Sequence, residues 1–205
     1  MTEASLEFVA SNIGPPPARV LEVGCGTTGE LAEGLAAASY DVLAVDPEAP
    51  EGRIFRRVSL EALDDPGPFD AVVASRSLHH IHDLTGAVDK IASLTPLLVL
   101  EDFGWDLLDE PTLRWYGEQS RALRAAGHDP EKLGSREEWE AEHAGLHGYE
   151  AMRTELDRRF DERFFARTPY LYRYLRGAEE LERRLIEEGA IRALGFRYVG
   201  AAKSR

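Results

Sequence analysis

A chain of 205 residues with 43% apolar content is long enough for one α/β domain with a sizeable core. Its net charge of −13 argues against a passive grip on nucleic acid, whose phosphates need clustered Lys and Arg. No apolar run approaches the ~18 residues of a membrane span, no secretory signal opens the chain, and a single cysteine, Cys25, excludes an intrachain disulfide. A cytoplasmic protein with no membrane partner is expected. The arginines at 163, 167, 173 and 176 read as solvated partners of the acids at 161, 162, 179 and 180.

Residues 18–23 (ARVLEV) form a short apolar run between a proline cluster and glycines, which suits a buried strand. A glycine turn at 24–29 leads into a helix over 30–38. Further strands are expected at 41–46, 54–58, 69–75 and 97–102, with a helix over 84–94 before the last of these. Only seven residues, PEAPEGR, separate the second strand from the third, where a parallel return usually takes a dozen or more. An extended, helix-free return is expected there, with some other segment covering that sheet edge. From Pro111 the pattern turns helical. Ser135 with Glu138 three residues later is a capping-box pattern for a helix carrying Trp139. The aromatic stretch 160–174 is read as starting with a strand and as a candidate cover for the short-crossover edge. A helix over 178–189 and a last strand at 196–201 complete the chain, with 105–177 as a lid or insertion on a single domain.

The stretch VLEVGCGTTGE joins a strand to a helix through Gly24, Gly26 and Gly29. Glycine lets the main chain approach a ligand closely, and the helix start offers free N–H groups to an anion. Asp46 ends the next strand, where a carboxylate can accept both hydroxyls of a ribose. This much fits a nicotinamide dinucleotide as well as S-adenosylmethionine. Glu22, inside the strand where dinucleotide binders normally carry an apolar residue, favours the second.

VLEVGCG, AVD, FDAVVASRSLHHIHD and LLVLED, in that order, resemble the motif series of class I S-adenosylmethionine-dependent methyltransferases, in the small-molecule branch that includes ubiquinone-biosynthesis and natural-product enzymes. The resemblance covers roughly residues 18–104. It implies a Rossmann-like α/β fold: a seven-stranded, mostly parallel sheet with the last strand antiparallel and helices on both faces. It also implies S-adenosylmethionine lying across the strand C-termini and S-adenosylhomocysteine as product. Glu22, Gly24 and Gly26 would lie near the methionine end and Asp46 on the ribose, with Cys25, a small buried side chain, inside the cofactor-binding glycine loop. Ser59, Leu60 and Glu61 would lie near the adenine, and Ser75 at the end of the fourth strand. The chain departs from the pattern in one extra loop residue, Thr27 or Thr28, and in Ser59 where an acid often stands.

The expected reaction is methyl transfer to a small-molecule acceptor at oxygen. An oxygen acceptor must lose a proton, a task suited to histidine. By the resemblance, His80 would be the base and Asp102 its orienting carboxylate, with His79 beside them. His143 and His147 are read as four apart on one helix, more simply pocket-lining or surface than metal ligands, so no metal is expected. Two other readings stay open: a non-catalytic S-adenosylmethionine-binding protein or subunit, and an NAD-dependent oxidoreductase. Acceptor identity and oligomeric state are not legible.

Overall fold

A computed structural model describes residues 3–204. Its strands are β1 (Arg19–Val23), β2 (Asp41–Val45), β3 (Phe55–Arg56), β4 (Ala71–Ser75), β5 (Leu97–Phe103), β6 (Phe160–Thr168) and β7 (Gly195–Ala202). The helices are α1 (Glu3–Asn12), α2 (Glu30–Ala37), α3 (Leu84–Leu94), α4 (Glu110–Ala125), α5 (Arg136–His143), α6 (Tyr149–Arg159) and α7 (Glu179–Glu187). One sheet runs in the order β3-β2-β1-β4-β5-β7-β6. The pairs among β1 to β5 are parallel, and β7 lies antiparallel to both β5 and β6. This is the sheet that the sequence motifs imply.

The central strands are apolar on both faces because each face carries helices. Leu21, Val72, Leu98 and Leu100 pack under α3 and α6 through Val88, Ile91, Met152 and Leu156. Val20, Ala71, Val73 and Val99 face the other way, against Phe8 and Val9 of α1 and Leu31 and Leu35 of α2. Each such aliphatic side chain contributes about 1.5–3 kcal/mol on burial. A third cluster caps the sheet above the C-terminal ends of the parallel strands: Phe103, Trp115, Tyr116, Trp139, Leu171, Leu175 and Leu194. Asp109 starts α4 by accepting from Thr112 N at 3.0 Å. Ser135 and Glu138 make the anticipated reciprocal cap of α5.

Four expectations change. The return from β2 to β3 has no helix, as expected, but it folds into turns closed by Ala49 N to Asp46 O and Phe55 N to Gly52 O. The aromatic stretch does not cover that edge: β6 pairs with β7 at the opposite side of the sheet. His143 and His147 do not share a helix, since α5 ends at His143. His147 instead docks on the turn after β4, donating its backbone N–H to His79 O at 3.0 Å, with its Nε2 2.8 Å from Ile81 O. Finally, α1 and α6 have no counterpart in the sequence reading. Both are short helices whose buried faces are set by the sheet they meet rather than by strong internal periodicity.

Candidate active site

The C-terminal ends of β1, β2 and β4 open onto a cleft of about 800 Å³. Gly24, Cys25, Gly26, Thr27 and Thr28 form one wall, and Asp46, Pro47 and Glu48 the next. Ser59, Leu60 and Glu61 follow β3, Ser75 ends β4, and Arg76, Ser77, His80, Ile81 and His82 follow it. Open α/β sheets bind ligands at this edge because loops there diverge from strands on either side.

The glycine loop is shaped by its neighbours. Gly24 has φ +76°, and a Cβ there would sit 2.2 Å from Ser77 Cβ, so only glycine lets the loop abut the turn after β4. Ser77 Oγ fastens the same contact by donating to Val23 O at 2.8 Å. At Gly26, φ +62°, an added Cβ would meet no protein atom within 4 Å and would project into open space. Asp46 joins this loop to the β2 end: Oδ2 accepts from Gly26 N at 3.0 Å and Oδ1 from Glu48 N at 2.7 Å. An ionised carboxylate has about four acceptor sites, so a diol can still be received beside these bonds.

Glu22 lies beneath the loop, 2% exposed, with Oε2 lacking any hydrogen-bond partner. Burial pushes its carboxyl up to about 7; Ala32 N–H opposes this and the Asp46 charge adds to it. A buried acid with an unpartnered oxygen next to the glycine loop is a position that a nearby cationic ligand would favour in its ionised form. The neighbouring Cys25 thiol is pushed up to about 12 by burial and by the charges of Glu22 and Asp46, which disfavours the nucleophilic thiolate.

The turn after β4 (Leu78–His80) hangs from Asp102. One carboxylate oxygen accepts from Leu78 N at 3.0 Å; the other contacts His79 Nδ1 at 2.5 Å and accepts from Phe103 N at 2.8 Å. The sequence reading paired Asp102 with His80, and the structure pairs it with His79. The reason is steric: the turn directs His79 inward, 3% exposed, edge-on to the Phe103 ring, and His80 outward into the cleft. Burial holds the His80 imidazole below its ordinary range; His79 and His143 add to this and Asp102 opposes it.

Thus the cleft collects Gly24, Cys25, Gly26, Asp46, Ser59, Leu60, Glu61, Ser75 and His80, with Glu22 directly beneath, while His79 and Asp102 form its supporting layer. Arg76, Glu48 and His82 also line it and were not singled out, as do Thr27 and Thr28, which the sequence marked only as the site of an extra loop residue. Arg76 follows a strand directly, the place where α/β proteins present functional groups, and that was the available signal.

A cleft lined by the acids Asp46, Glu48 and Glu61, a glycine loop and space at Gly26 fits an adenosyl sulfonium compound. The comparisons agree. The sequence pattern of a methyltransferase-domain family matches residues 3–162. A ubiquinone biosynthesis O-methyltransferase of Xanthomonas campestris is 35% identical over 104 residues, covering 43% of each chain, so the match spans less than half the length of that relative. An S-adenosylmethionine-dependent methyltransferase of Mesorhizobium loti superposes with a TM-score of 0.58 at 13% identity, over 97% of this chain and 96% of that one. The N-methyltransferase NodS of Bradyrhizobium japonicum, solved with S-adenosylhomocysteine, superposes at 0.53 with 14% identity, over 98% and 84%.

Proposed function

Because the chain belongs to the class I S-adenosylmethionine-dependent methyltransferases, we propose that it methylates a small-molecule acceptor at oxygen, with His80 as the general base. The observation that carries this reading is an imidazole with lowered basicity lining the cofactor cleft. S-adenosylmethionine, when bound, supplies an electrophilic methyl on a good leaving group, so the protein's tasks are alignment and proton removal. Glu22, Gly24 and Gly26 would hold the methionine end, Asp46 the ribose, and Ser59, Leu60 and Glu61 the adenine. Neutral His80 would accept the hydroxyl proton as oxygen attacks. His79 and Asp102 would position His80, since their contact fixes the turn that carries it.

The short His79–Asp102 contact favours a second assignment, in which His79 is the base of a buried dyad. Single variants separate the two. With phenolic probe acceptors, His80→Ala should lower kcat by roughly 10²–10⁴ while leaving S-adenosylhomocysteine affinity intact. The wild-type rate should fall only below pH 6.5, the ordinary histidine value, because the His80 pKa is lowered. A His80→Ala enzyme of unchanged rate and unchanged acid limb, beside an inactive but folded His79→Ala, would transfer the role to His79.

A further inference from the structure

Arg76 stands at the exit of β4 with φ +53°, a left-handed backbone that a non-glycine residue adopts at a cost. It is half-buried and lines the cleft beside His80. Among the described residues its guanidinium makes no hydrogen bond and no ion pair, whereas Arg19, Arg153, Arg158, Arg183 and Arg197 all have carboxylate partners. Its charge reaches the Tyr170 phenol and Glu30 only at longer range.

A half-buried guanidinium with no carboxylate partner, lining the cleft, has its donors free for an anion. Its place in the sheet suggests which anion. Asp46 and Ser59–Glu61 follow β2 and β3, while Arg76 and His80 follow β4, two strands from β2 and three from β3, or about 10 and 14 Å. Arg76 therefore shares the β4–α3 connection with the proposed base, and its backbone N–H is tied to β5 through Glu101 O at 2.7 Å, so an acceptor that meets His80 also comes near Arg76.

Building on the oxygen-transfer reading, we propose that Arg76 is the anion receptor of the acceptor site, and that the acceptor is a hydroxy acid whose carboxylate pairs with Arg76 while its hydroxyl faces His80. A guanidinium grips a carboxylate through two parallel hydrogen bonds, which fixes orientation as well as affinity.

The test uses the full chain saturated with S-adenosylhomocysteine and two matched probes, 3,4-dihydroxybenzoate and catechol, titrated by calorimetry. The acid should bind tighter than catechol by roughly ten- to hundredfold, the range for charge-assisted hydrogen bonds. Arg76→Gln should erase the difference, and Arg76→Lys should retain part of it. An acid that binds no better than catechol, or does not bind, overturns the proposal. So does an Arg76→Gln variant that loses affinity for S-adenosylhomocysteine but not for 5′-methylthioadenosine, because the cofactor's own carboxylate then occupies Arg76. Mass spectrometry of the products formed with S-adenosylmethionine separates the two levels. O-methylation of both probes without preference for the acid removes only the anion site, whereas methylation at a ring carbon, or of neither probe, removes the oxygen reading beneath it.

Discussion

Glu22 illustrates how one buried atom can make a cofactor site sensitive to pH. Its carboxyl is raised from 4.5 to about 7 by burial, so near neutrality the free protein holds it partly protonated. A cationic ligand favours the ionised form. Affinity for S-adenosylmethionine should therefore rise with pH between about 6 and 8, with release of up to one proton on binding. Stability runs the other way. Between 4.5 and about 7 the native state binds more protons than the unfolded chain. Stability should then fall by at most about 3 kcal/mol as pH rises across that window, and level off above it. Calorimetry in buffers of different ionisation enthalpy reads the proton release, and Glu22→Gln should abolish it. An unchanged slope in that variant would remove Glu22 from the cationic end of the site. At this scale the sequence was informative about residue type and less so about pairing. Asp102 and the two histidines were visible in the motifs, yet which imidazole turns inward depends on the geometry of residues 78–80, which carries no periodic signal.

Among the elements, the segment after β6 is held by an unusual cap. Glu182 of α7 is fully buried, and its carboxylate accepts from Tyr170 N at 2.8 Å, Leu171 N at 3.0 Å and Tyr172 N at 2.6 Å. These bonds set Tyr170 flat against Phe103, with ring centroids 4.1 Å apart and planes 4° from parallel. Phe103 in turn packs edge-on to His79. Glu182→Ala would leave three N–H groups without this partner, one of them buried and two part-buried, and a loss of roughly 2–4 kcal/mol is expected on denaturant unfolding. A loss below about 0.5 kcal/mol, the size of an ordinary surface substitution, would show that water replaces the carboxylate. Nothing in the sequence announced this role, because α7 reads as an amphipathic surface helix and Glu182 as one of its many acids. By contrast, the α5 cap was legible from Ser135 and Glu138, whose contact is local and has a fixed spacing. What lies within four residues in sequence could be read; what depends on a partner eleven residues away, across a turn, could not.

Over the whole molecule, the parallel strands were legible from their apolar runs and the antiparallel last strand through the family resemblance, whereas the place of β6 beside β7 was not, because it depends on a long-range pairing. The two helices that escaped the reading, α1 and α6, are those whose place is set by the finished sheet. No described helix is long and apolar enough to cross a membrane. The single cysteine adds a practical consequence. Cys25 sits in the loop at the heart of the cleft, buried and with its thiolate strongly disfavoured, so alkylating reagents should report the opening of this one locus against a silent background. Native protein should take up almost no iodoacetamide at pH 8 and one equivalent in denaturant. Saturating S-adenosylhomocysteine should slow the residual uptake in proportion to its occupancy, by mass action on the closed state. Rapid labelling of the native, ligand-saturated protein would contradict that protection. One thiol thus makes breathing of the cofactor loop a clock that can be read by mass alone.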